Sequence, residues 1–170
     1  MRTGWMSLCS SGLLVVSSVV ASAADPKPLF DSQLVTRETP GHAKKFDVEL
    51  EGAKELYLVT RDGGDGFTAD WADWAEPVLV GPQGSKKLTE LKWKKADAQW
   101  GEVRTNANAA GQPLKINGQS VADGIGTHAN SVIVFDVPAG YTRFQGRVGL
   151  DNGGTDQGSG STVQFLVYNQ

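Results

Sequence analysis

Cysteine and histidine are almost missing from this 170-residue chain: Cys9 stands alone, and His42 and His128 are the full histidine complement. Cys9 lies ahead of the first apolar run, in a segment expected to be removed. The mature chain then has no disulfide, no thiolate nucleophile and no cysteine-based zinc site. Two separated histidines make no zinc motif, and neither a G-x-S-x-G elbow nor a phosphate loop with its G-K-[ST] ending is present. Long apolar runs are equally scarce. "LLVVSSVVA", Leu13 to Ala21, falls well short of the roughly 20 residues that cross a bilayer, so no membrane span is expected. Basic runs are scarce too. "KKLTELKWKK", Lys86 to Lys95, reads as a solvated face or edge strand within a chain of net charge −3, which argues against a nucleic-acid partner.

The apolar run has a role of its own. With Arg2 before it and Ala21-Ser22-Ala23 after it, it has the three parts of a secretory leader. Residues 1–23 are therefore expected to be a signal peptide and residues 24–170 a single domain, secreted or periplasmic.

Beyond the leader, short alternating runs dominate. "KKFDVELE" puts Phe46, Val48 and Leu50 on one face, and "KELYLVT", "PVLVG", "PLKIN", "SVIVFDV", "YTRFQGRVGL" and "STVQFLVY" continue the pattern. Val, Ile, Phe and Tyr in such runs, punctuated by Gly, Pro, Asn and Asp, predict half-buried strands and an all-β sandwich. "ING", Ile116 to Gly118, predicts a tight turn. "SKKLTELKWKKADA" carries a weak helical period, and the glycine-rich "GLDNGGTDQGSGS", Gly149 to Ser161, reads mainly as a mobile connection.

The unusual stretch is "DGGDGFTADWADWAE", Asp62 to Glu76, which holds five acidic side chains and two tryptophans. Its spacing is not that of an EF-hand, although calcium accepts carboxylates in irregular arrays. One reading makes Asp70, Asp73 and Glu76 calcium ligands, with Asp62 and Asp65 capping the turn; the other gives all the Asp-Gly pairs to turn chemistry. Trp74, leading straight into "VLV", is expected in the core. Trp71 is expected to offer its flat face to a ligand. Carboxylate pairs such as Asp70 with Asp73 are of the type that glycoside hydrolysis uses, but acids crowded into one exposed loop do not make the cleft that such a reaction needs.

"AQWGEV" (Ala98 to Val103), "GQPLKINGQSVADGIGTHANSVIVFDVPAGYTRFQGRVGLDN" (Gly111 to Asn152) and "GSTVQFLVY" (Gly160 to Tyr168) together resemble the NPCBM/NEW2 domain, a carbohydrate-binding module family found beside glycoside hydrolases. "GIGTHANS", Gly124 to Ser131, is the most specific element. The first half, "FDVELEGAKELYLVTRDGGDG" with "DWADWAEPVLV", resembles the closing strands of the same family. Residues 27–81 thus match the closing half and 86–170 the opening half, a circularly permuted order joined through "GPQGS"; the other reading is two half-domains that complete each other between chains. Such a cut is feasible because domain termini lie close together at the surface. Gln99 stands where the family has glycine before its tryptophan, Trp100, which puts the shape of that turn and a ligand contact there in question.

The resemblance implies a galactose-binding-like β-sandwich of jelly-roll type, without catalysis, that takes terminal, galactose-like sugars and carries one structural calcium ion. Trp71, Asp65, His128, Arg143, Asp151 and Asn152 are the expected ligand contacts. For His128 a second reading stands beside this one, an imidazole that fixes its own loop. A protein-binding or cell-surface interaction module without sugar binding is the alternative function.

Overall fold

The computed structural model describes Met1, residues 26–158 and residues 160–170; the expected leader lies outside the described residues. Two antiparallel sheets pack face to face. The first follows the order β1 (Phe30–Val35), β13 (Val163–Asn169), β3 (Glu55–Asp62), β11 (Ser131–Asp136) and β6 (Lys95–Ala98). The second follows β2 (Ala43–Glu49), β12 (Arg143–Leu150), β4 (Trp71–Gly81), β10 (Gly124–His128) and β7 (Arg104–Thr105), with β5 (Gly84–Lys87) also paired to β4. The all-β sandwich expected from the alternating runs is the fold.

Alternation explains the core. Leu56 and Leu58 of β3, Ile133 and Phe135 of β11, and Val163, Phe165 and Val167 of β13 all face inward. From the other sheet come Phe46, Ala72, Trp74, Ile125, Phe144 and Val148. Trp74 meets Phe165 edge-on at 5.4 Å and Phe46 packs on Phe144 at 4.8 Å, arrangements that aromatic quadrupoles favour. Trp74 is fully buried, as its position before "VLV" predicts.

The two halves of the chain meet at a two-residue hairpin in which Gly81 pairs with Gly84. "ING" forms the predicted turn: Asn117 and Gly118 both take positive φ between β8 (Lys115–Ile116) and β9 (Gln119–Ser120). The weak helical period of "SKKLTELKWKKADA" does not yield an α-helix. The segment gives β5, one 3-10 turn at Leu88–Glu90 and β6, because strand partners on both sides outweigh a marginal local preference. Nor is Gly149–Ser161 simply a loose connection. Asp151 caps a short helix, α1 (Asn152–Thr155), by accepting from the Gly153 amide at 2.7 Å.

One layer goes beyond the strand pattern. The chain between β6 and β10 folds over the outer face of the second sheet, where Leu114, Ile116 and Val121 close on Ala75. The backbone comes so close that a Cβ on Gly126 would lie 2.3 Å from the Ala107 carbonyl oxygen and 2.5 Å from the Asn108 Cα. Glycine at 126 is a packing requirement there.

Candidate functional site

Strand β4 begins at Trp71, so the acids of "DWADWAE" belong to a strand and its approach, not to one loop. Strand period two then separates them. Asp73 shares the outer face with Trp71 and Ala75, whereas Ala72 and Trp74 face the core. Asp70, just before the strand, accepts the Thr162 amide at 2.9 Å. Glu76 has φ +53, is exposed, and pairs with Arg147. Asp70, Asp73 and Glu76 therefore do not converge. Among the described residues no group of three or more His, Cys, Asp or Glu side chains is placed to hold a metal ion, so the expected calcium ligands do not fit the ion.

Asp73 has a different partner. It is wholly buried beside Asp151, and among the described residues neither of its oxygens receives a hydrogen bond. Burial, with the Asp151 charge beside it, holds the Asp73 carboxyl well above the usual carboxylate range. The protonated acid can donate to Asp151. Asp151 in turn accepts from the Asn108 amide group at 2.9 Å, the Lys115 backbone N–H at 2.9 Å and the Gly153 N–H at 2.7 Å. Asp151 is thus the staple that fastens the outer layer and α1 to the sheet.

Just beyond it, at the same end of the sandwich, four rings gather. His128 pairs with Trp71 across β10 and β4. Trp100 lies 5.1 Å from Trp71 and 5.0 Å from His128, and Phe67 lies 6.1 Å from His128. Phe67, Thr68, Ala69, Trp71, Trp100, His128 and Gln157 line a shallow hollow of about 250 Å³. Trp100 is 45% exposed and Phe67 39%, but Trp71 only 9%. Gly153 and Gly154 lie against the Trp71 indole, closely enough that a Cβ on Gly153 would be 2.5 Å from it. Trp71 is thus a clamped wall, and the open aromatic face belongs to Trp100.

The Trp100 turn is pinned in place. The Gln99 amide donates to the Asn130 carbonyl at 2.8 Å, and the Gln99 side-chain oxygen accepts from the Asn130 side chain at 3.1 Å. Asn130 also donates to Asp62 at 3.0 Å, tying the turn to the end of β3. Gln99 is the residue that departs from the resemblance, and it positions the ring whose contact that departure put in question. On the other rim, Thr162 donates to Asp65 at 2.7 Å, while Asp62 accepts the Gly64 amide at 3.0 Å. Asp62 and Asp65 build and dock the loop that carries Phe67.

His128 is only 3% exposed, and its Nδ1–H donates to the Ala129 carbonyl at 2.7 Å. Burial lowers its pKa, so the ring stays neutral at pH 7 with Nε2 free of a proton as an acceptor. The imidazole fixes its loop and lines the hollow at once. Asn152 and Asp151 border a neighbouring groove on the other side of Trp71. Arg143 is not brought to the site. It stands at the far end of β12, seven residues or roughly 23 Å of extended strand from Leu150, where it bonds Asp47 and Glu49.

An exposed indole over a neutral imidazole, with the Thr68 hydroxyl and the Gln157 amide on the rim, thus stands at one end of the β-sandwich. The chain belongs to the NPCBM/NEW2 domain family, whose model matches residues 11–80 and 84–170. It is also similar to alpha-1,3-galactosidase B of Akkermansia muciniphila, 39% identical over 69 residues. That stretch is 39% of this chain and 8% of the galactosidase, so the chain spans a small part of that protein. No solved structure matches it.

Proposed function

We propose that this chain is a secreted, non-catalytic module that holds a terminal, galactose-like sugar of a glycan in the hollow between Phe67 and Trp100. The observation that carries the reading is Trp100, an exposed indole set over Trp71 and His128. A pyranose stacks its C–H face on such a ring, and the His128 Nε2 and the Gln157 amide meet its hydroxyls. Galactose is favoured by the name of the similar galactosidase, and secretion by the leader-like residues 1–23. The acids near the hollow support binding over catalysis: Asp151 is saturated with donors and Asp73 is sealed beneath the layer. Glycoside hydrolysis needs two carboxyl groups flanking an open cleft.

We also read the family order as circularly permuted. The family match falls in two segments that meet at the Gly81–Gly84 hairpin, and Phe30 pairs with Val167, which keeps the two chain ends together.

A glycan array probed with residues 24–170 tests the function. Saturable binding to galactose-terminated glycans, lost in Trp100→Ala and unchanged by chelator, is the expected result. A folded protein that binds no glycan overturns it and turns attention to a protein partner.

A further inference from the structure

The hollow does not stand alone. On the other side of Trp71 lies a groove of about 420 Å³, bordered by Gln112, Lys115, Asn152, Asp156 and Gln157. Trp71 and Gln157 line both cavities, so the edge of the indole forms a ridge between them. The hollow alone is smaller than the usual range of small-molecule sites, about 300–1,000 Å³.

The two cavities differ in chemistry. The hollow is ringed by Phe67, Trp100 and His128, the groove by groups that donate and accept. Among the described residues the Lys115 ammonium has no ion-pair partner, although its backbone N–H is committed to Asp151. The exposed Gln112 side chain is likewise free, while its backbone N–H donates to Asn108 at 2.9 Å. Asn152 is occupied, accepting the Gly118 amide and donating to Asp156, each at 2.9 Å. Gln157 donates to the Gly153 carbonyl at 2.6 Å, which leaves its side-chain oxygen open. Free donors on Lys115 and Gln112, with free acceptors on Asp156, Gln157 and Gln112, match sugar hydroxyls, each of which both donates and accepts. The groove offers no open aromatic face, because Gly153 and Gly154 cover that side of Trp71.

We infer that the site takes two linked sugar units, a terminal unit in the aromatic hollow and the next one in the polar groove, with Lys115 and Gln112 reading the second unit. The inference rests on the glycan-binding reading above and deepens it. Trp71 is then a selector of linkage, since only a glycosidic bond that turns across its edge puts both rings in place. The module recognises the junction between two sugars in addition to the terminal residue.

Titration calorimetry with methyl α-galactoside, α-1,3-galactobiose and lactose separates the possibilities. The wild type is expected to bind one of the disaccharides at least ~tenfold more tightly than the methyl glycoside, a difference of about 1.4 kcal/mol. Lys115→Ala with Gln112→Ala is expected to bring that ratio close to one without changing the affinity for methyl α-galactoside. Both side chains are exposed and only their backbones join the staple, so this variant keeps the fold. Trp100→Ala is expected to lose all three ligands. Equal wild-type affinity for all three, or a disaccharide preference that survives the double substitution, overturns the inference and leaves the proposed function standing. A folded wild type that binds none of the three removes both.

Discussion

Strand β4 has two ends that treat acidic side chains in opposite ways. At the hairpin end, Asp47 and Glu49 stand in solvent and are met by Arg143, with Gln145 adding a bond to Asp47 at 3.1 Å. At the Trp71 end, Asp70 and Asp73 are wholly buried, and among the described residues no cation hydrogen-bonds either of them. Exposed ion pairs exchange water for one another and contribute little. Buried carboxyl groups keep a fold only when protons and N–H donors satisfy them. The acidic character of the chain is thus surface at one end and architecture at the other, and the architecture underlies the hollow.

The sharpest way to break this contrast is Asp151→Ala. It strands three buried or half-buried donors, on Asn108, Lys115 and Gly153, and is expected to destabilise by roughly 4 kcal/mol in urea denaturation. Gly126→Ala comes next, at about 3 kcal/mol by the same assay, because the new methyl meets backbone and not a yielding side chain. Trp100→Ala reverses the pattern: glycan binding is lost while stability changes by about 1 kcal/mol or less, as befits a half-exposed ring.

The acids also separate by pH. Burial pushes the Asp70 carboxyl up to about 7, with the Asp65 and Asp62 charges adding to it against the Thr162 hydrogen bond. The folded chain therefore holds a proton that the unfolded chain releases near pH 4. Stability from this group is full below that point and is lost as pH rises through about 7. Asp73 acts in the same direction. Asp70→Asn is expected to flatten this limb of a stability–pH profile; an unchanged profile removes Asp70 from the account. Arg143→Ala is expected to do least, within about 1 kcal/mol, with glycan affinity unaltered.

Much of this architecture is legible in the amino-acid sequence itself. Period-two runs place Phe46, Leu58, Ile133 and Phe165 in the core, and Asn-Gly marks the β8–β9 turn. Trp74 follows from the strand it precedes. What stays hidden depends on contacts between distant segments. Asp73 reads as a loop acid until β10 and β12 flank it, and only then does period two turn it away from Asp70. Trp100 reads as compromised by Gln99, because the partner that makes Gln99 useful, Asn130, lies 31 residues away. Phe67 carries no signal beyond being an apolar residue between Gly66 and Thr68. The outer layer has few strand residues of its own, and its trace in the sequence is Gly124 and Gly126, whose missing side chains make room for it.

The glycine pair of α1 has one more consequence. With Gly153 and Gly154 against one side of Trp71 and Trp100 against another, the central indole has no rotamer to give up when a ligand arrives. Ordering loose side chains is a large part of what weakens association. For this indole that share is settled when the chain folds, so the entropy of capture falls on the exposed Lys115 and Gln112 side chains, on the sugar and on the water it displaces.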